Sequence, residues 1–145
     1  MKKFLLIICA AALVLTGCGE NSQAREAKIL NTIKISVGDK IFSATLEENS
    51  TAKKFSECLP LEIDMSELNG NEKYFYLPEN LPSEPAGVKQ IHAGDLMLFG
   101  SNCLVLFYKN FSTSYSYTRI GRIENPAGLE KILGAGNVRV KFADK

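Results

Sequence analysis

The sequence predicts a mainly β protein, a closed barrel with two short capping helices, and three observations carry that prediction. Short runs of alternating apolar and polar residues recur along the chain, separated by glycine, proline or asparagine. Two further runs, GDLMLFG and CLVLFYK, are almost continuously apolar on either side of Ser101-Asn102, as expected of hairpin strands covered on both faces. Only two segments, beginning near Asn49 and Pro126, carry a helical pattern, and both are short. Many short strands with two small helices bury their apolar faces most simply as an antiparallel-rich barrel with helical plugs.

In chain order, Lys2 and Lys3 precede an uncharged apolar run of eleven residues, Phe4 to Val14. Crossing the hydrocarbon core of a bilayer takes about 20 residues, so residues 1–17 read as an export signal peptide rather than a membrane span. The run ends in Leu15-Thr16-Gly17-Cys18, which resembles the lipobox of bacterial lipoproteins, where the cysteine is acylated and the chain is cut before it. Each buried acyl CH₂ contributes about 0.8 kcal/mol, so two or three palmitate-type chains on Cys18 hold a protein firmly at a membrane. The expectation is an exported protein, lipid-anchored at Cys18 to the bacterial cell envelope. Gly19 is not the aspartate that retains some lipoproteins at the inner membrane, and the choice of inner or outer membrane stays open.

Cleavage before Cys18 leaves 128 of the 145 residues and, by removing Lys2 and Lys3, turns the formal charge from +1 to −1. That charge, with no basic cluster, argues against a nucleic-acid partner. The length suits one domain large enough to bury a core without staples. Residues 18–30 are polar and read as a tether, with the domain occupying residues 31–145.

Within the domain, IKISVGDKIFSATL reads as a hairpin about Gly38-Asp39. Asn49 or Ser50 can cap a helix that places Ala52, Phe55, Cys58 and Leu59 on one face and stops at Pro60. LEIDM alternates, Ser66 to Asn71 reads as a polar turn region, and KYFYL is an aromatic strand halted by Pro78. Pro78 to Gly94, with three prolines, reads as a long loop of the kind that often carries function. Beyond the second hairpin, Tyr115 to Ile123 is a strand, Pro126 to Leu133 a helix, and NVRVKF a closing strand. Of the cysteines that remain after cleavage, Cys58 and Cys103 read as two buried thiols, with a disulfide as the alternative.

The later half resembles the cyclophilins: GDLMLFG is similar to their "GxLxMA" strand, CLVLFY to "SQFFI", and YTRIGRIENPAGLEKI to "HVVFGKV" followed by a helix. More closely, SELNGNEKYFYLP, GDLMLFGSNCLVLFYKNFSTSYSYTRIG and LGAGNVRVKF resemble a family of small bacterial proteins described only as cyclophilin-like, over Ile33 to Phe142. The resemblance implies the barrel fold and no settled activity. Cyclophilins themselves isomerise prolyl bonds with an early-strand arginine near the prolyl nitrogen, surrounded by glutamine, tryptophan and histidine. Here no arginine occurs between Arg25 and Arg119, there is no tryptophan, and Tyr117 stands where "HVVFG" has histidine. The comparison turns Thr118 and Ile120 into the barrel and Tyr117 and Arg119 out toward the pocket side, with Gly121 allowing the strand to bend. Lys73 or Lys89 offers a cation, but not the guanidinium fork.

Catalytic residues are therefore not assigned, and peptidyl-prolyl isomerisation of exported proteins is kept as the alternative reading. His92, the single histidine, leaves histidine-based nucleophilic triads without support. No metal-ligand spacing and no phosphate-binding glycine motif appear, so no cofactor is expected. The favoured reading is a non-catalytic accessory module that binds a peptide, protein or small molecule through clustered aromatic residues with polar tips. The candidate binding residues are Asn69, Glu72, Tyr74, Tyr76, Tyr115, Tyr117 and Arg119. Phe75 and Tyr108 belong to the same cluster, about half of which must face the core. Glu62, Asp64, Glu67 and Glu72 read together as a solvated acidic face.

Overall fold

A computed structural model describes residues 31–145, so the segments read as signal peptide and tether, with Cys18, lie outside the described residues. The elements run β1 (Thr32–Val37), β2 (Lys40–Leu46), α1 (Ser50–Glu57), β3 (Leu61–Leu68), β4 (Glu72–Tyr76), β5 (Ala86–Gly87) and β6 (Gln90–Ile91). They continue through β7 (Asp95–Phe99), β8 (Cys103–Phe107), β9 (Phe111–Ser112), β10 (Ser116–Ile123), α2 (Leu129–Leu133) and β11 (Val138–Asp144). Eight strands close an antiparallel barrel in the order β2-β1-β11-β3-β4-β8-β7-β10, with β10 returning to β2. Closure removes sheet edges, and it is achieved by described residues alone.

Local chemistry explains the path. Gly38, at φ 56°, turns the β1–β2 hairpin so that Val37 pairs with Lys40. Asn49 caps α1 by accepting from the Ala52 N–H at 2.8 Å. The β10 register steps from Arg119–Met97 to Gly121–Leu96, leaving Ile120 as a bulge. That bulge bends β10 from β7 toward β2, where Gly121 pairs with Leu46. A Cβ at Gly121 would sit 2.6 Å from the Thr45 carbonyl oxygen, so only glycine permits this closure.

Alternation along the strands separates two cores. The inner one fills the barrel with residues such as Ile35, Met65, Leu98, Leu104, Ile120 and Phe142. Phe55 of α1 closes it edge-to-face on Phe142, with centroids 5.6 Å apart, and α2 adds Leu129 and Leu133 at the opposite end. A smaller outer core, Ile91, Met97, Cys103, Val105, Phe107 and Tyr117, lies on the other face of β7, β8 and β10. The two-faced apolar strands are thus buried on both sides, as their composition predicts.

Several boundaries differ from expectation. The stretch read as a turn at Ser66 to Asn71 continues β3 to Leu68, because Ser66, Glu67 and Leu68 pair with β4. The Pro78–Gly94 segment is not free: β5 adds to β10, β6 pairs with β9, and Leu81 enters the inner core. The second helix is one turn shorter at its start, since Gly128 at φ 82° is its cap. Cys58 is exposed, not buried, because it caps α1 with its thiol turned to the Lys54 carbonyl. Cys103 is buried, and both thiols are free.

Candidate functional site

The outer face of the barrel beside its smaller core carries a groove of about 630 Å³. β4 contributes Glu72, Tyr74 and Tyr76, whose side chains alternate outward and pair across to Phe107, Val105 and Cys103 of β8. β7 supplies Phe99, and the segment from Phe111 to Tyr117 forms the opposite wall. The rings form two groups, a Tyr74–Tyr76 pair and a set centred on Tyr117. Tyr74 and Tyr76 meet at 5.7 Å, Phe99 lies 6.1 Å from Tyr115 and 5.6 Å from Tyr117, and Phe107 lies 5.5 Å from Tyr117. All but one of these pairs are near-perpendicular or edge-on, the favoured geometry for aromatic contacts.

Of the residues expected at a binding site, six line this groove: Asn69, Glu72, Tyr74, Tyr76, Tyr115 and Tyr117. They differ in how much they offer. Tyr76 and Tyr115 are each 64% exposed, whereas Tyr117 is buried in the outer core, with its hydroxyl acidity lowered by burial and by the Glu72 charge. Asn69 lines the groove and also makes the β3–β4 turn at φ 56°, so its turn role and its lining position coexist. Arg119 points outward but lies apart from the groove. Its guanidinium stands 4.0 Å from Asp95, and it borders a separate cleft of about 220 Å³ with Glu84 and Ala86. Phe99, Phe111 and Asn71 line the groove without having been expected there. For Phe99 the parity of DLMLF gives only the outward face, shared with Met97, and not that this face opens on a groove.

The acidic residues divide by strand parity rather than forming one solvated face. Glu62 and Asp64 face solvent and grip Arg139 at 3.0 Å each. Glu67 turns inward, where Lys73 donates to its Oε2 at 2.6 Å and the Tyr108 hydroxyl donates to its Oε1 at 2.7 Å. Burial alone would raise the Glu67 carboxyl, but the Lys73 and Tyr108 hydrogen bonds, the Lys73 charge and the Gly70 amide outweigh it and hold it low. Lys73 is fully buried and completes its donors on the carbonyls of Gly134 at 2.9 Å and Gly136 at 2.6 Å. This inward lysine cannot serve the outer face as a substitute for a catalytic arginine.

Glu72 is different. Only 9% exposed, it lines the groove with no hydrogen bond or ion pair to its carboxylate among the described residues, and burial followed by the nearby Glu67 charge raises its pKa. Carboxylates are rarely buried without a partner, because desolvation penalises the ion. The neighbouring Cys103 thiol is pushed up to about 11 by burial and by Glu72, which leaves it un-ionised near neutral pH. None of the described residues lining the groove is a lysine, arginine or histidine. A cleft of about 670 Å³ also opens between α1 and Asn31, but four carboxylates and no aromatic ring line it. Among the described residues no group of three or more His, Cys, Asp or Glu is arranged to hold a metal ion.

Comparison with known proteins agrees with this architecture. No curated protein matches the chain. A solution structure of a hypothetical protein from Archaeoglobus fulgidus superposes with a TM-score of 0.53 at 19% identity, covering 79% of this chain and 94% of that one; it is a likeness of fold. The profile of the cyclophilin-like family matches residues 35–143, from β1 to the last strand, and the chain belongs to that family.

Proposed function

We propose that this protein is a membrane-anchored bacterial lipoprotein whose cyclophilin-like barrel works as a non-catalytic accessory module, binding a peptide, protein or small molecule in the aromatic groove. The observation that carries the binding role is the groove itself: exposed tyrosines and a partnerless carboxylate converge on one concave surface. The non-catalytic reading rests on the donors. Lowering the barrier of about 18–20 kcal/mol for rotation about an X-Pro bond requires a donor fixed on the twisted amide. No guanidinium lines the groove, and the buried Lys73 is consumed inside the barrel. The anchor rests on the Leu15-to-Cys18 sequence.

A protease-coupled X-Pro peptide assay tests the first part, with no catalysis expected. Turnover abolished by Tyr117→Phe or another groove substitution makes the protein a prolyl isomerase instead. Metabolic labelling with radioactive palmitate tests the anchor: the wild type should incorporate label and Cys18→Ser should not, and equal labelling contradicts lipidation at Cys18.

A further inference from the structure

The ligand class can be narrowed if the groove is the binding surface, on which this inference rests. Glu72 is about nine-tenths buried as a residue, lines the groove, and has no hydrogen-bond or ion-pair partner among the described residues. Beside it, Asn71 Oδ1 is a buried acceptor that also lacks a donor. Two acceptors without donors on consecutive lining residues ask for a ligand that brings N–H groups, and the carboxylate asks for positive charge. The walls ask for the same thing. Tyr74, Tyr76, Tyr115 and Phe99 present π surfaces, which attract cations through the ring quadrupole. No cationic side chain lines the groove to compete, and Glu67 adds negative potential behind Glu72.

A metal ion is a poor fit, since calcium takes about 6–8 oxygen ligands, usually several of them carboxylates, and magnesium about six, while among the described lining residues Glu72 is the single carboxylate and the other side-chain oxygens are neutral amides and hydroxyls. We propose that the groove binds an organic cation with N–H donors, an alkylammonium or guanidinium head seated at Glu72 and Asn71 with its hydrocarbon stem against the tyrosines. The head group can belong to a free amine or to a lysine or arginine side chain of a polypeptide.

The test is an NMR titration of the full chain in uncharged detergent micelles, with residues 31–145 in parallel. The probes are n-pentylamine, Nα-acetyl-lysine methylamide and its neutral counterpart Nα,Nε-diacetyl-lysine methylamide. The charged lysine should shift groove resonances and bind about tenfold more tightly than the neutral form. Glu72→Gln should erase that difference by weakening only the charged probe, and Tyr115→Ala, at an exposed position, should weaken both lysine probes. The tighter of pentylamine and the lysine derivative identifies a free amine or a polypeptide as the source, and either satisfies the proposal. Equal affinity for charged and neutral lysine, or an unchanged charged-probe affinity in Glu72→Gln, overturns the cation assignment while the groove stands. Shifts confined to residues outside the groove overturn both.

Discussion

Replacing Lys73 by methionine isolates a buried polar plug, the lysine that ties Glu67 to the carbonyls of Gly134 and Gly136. The substitution keeps the approximate length of the side chain and removes an ammonium that donates to Glu67, Gly134 and Gly136. Breaking a buried ion pair by deleting one partner costs about 3–5 kcal/mol, because the other charge is left uncompensated. Glu67 remains 23% exposed and keeps its bonds from Tyr108 and the Gly70 N–H, which moves the expectation to the lower end, about 3 kcal/mol. At about 4 °C per kcal/mol for a domain of this size, the midpoint should fall by about 12 °C. Urea unfolding of residues 31–145 measures the loss, and Glu67→Gln in both backgrounds measures the coupling. Glu67→Gln should be costly in the wild type and much less so, or favourable, in the Lys73→Met background. The acid limb gives an independent reading. A carboxyl whose folded pKa lies below its ordinary value of 4.5 contributes stability that is complete above that value and lost as pH falls through the folded one. That limb should flatten in Lys73→Met. A loss under about 1 kcal/mol, or the same Glu67→Gln effect in both backgrounds, refutes the plug as described.

Three further outcomes follow from named contacts. Glu72→Gln should stabilise the fold by about 1 kcal/mol at neutral pH, the scale of relieving one functional strain. Because the Glu72 pKa is raised in the folded state, wild-type stability falls as pH rises from 4.5 through that raised value; the gain should vanish below 4.5, and thermal melts across pH check it. Gly121→Ala should destabilise by about 2 kcal/mol, as overpacking against backbone does, since the new Cβ meets the Thr45 carbonyl oxygen at 2.6 Å; calorimetry reads the change. A maleimide reagent at pH 7 should label Cys58 in the native protein and reach Cys103 only after unfolding, because burial and Glu72 push the Cys103 thiol up to about 11; mass spectrometry counts the adducts.

Strand parity decides how much of this was legible in the sequence. Where apolar and polar residues alternate, as in TIKISV or VRVKF, the inward face could be read directly, and the hairpins and closing strand lie where the pattern puts them. The run SYTRIG also kept its parity: Ile120 enters the inner core and Tyr117 the outer one. Parity fails where both faces are apolar. DLMLF does not announce that Phe99 faces a groove rather than a filled core, because a loop more than ten residues away in sequence forms the other wall. It fails also for charge. Nothing local separates Lys73, buried by carbonyls some sixty positions distant, from an exposed lysine. Four of the six groove residues, Asn69, Glu72, Tyr74 and Tyr76, sit together in sequence, and Tyr115 and Tyr117 were joined to them as polar-tipped aromatics of a second strand; Arg119 was grouped with them by strand alone, and it stands beside Asp95 instead.

The binding role of the groove is tested most directly by unbiased chemical-shift mapping, in which a mixed library of peptides and small metabolites is titrated into isotope-labelled protein. Hits should shift the amides of Glu72, Tyr74, Tyr76, Tyr115 and Tyr117 as one contiguous set. Hits that shift only the cleft between α1 and Asn31, or the Arg119 cleft, with the tyrosines unmoved, would contradict it.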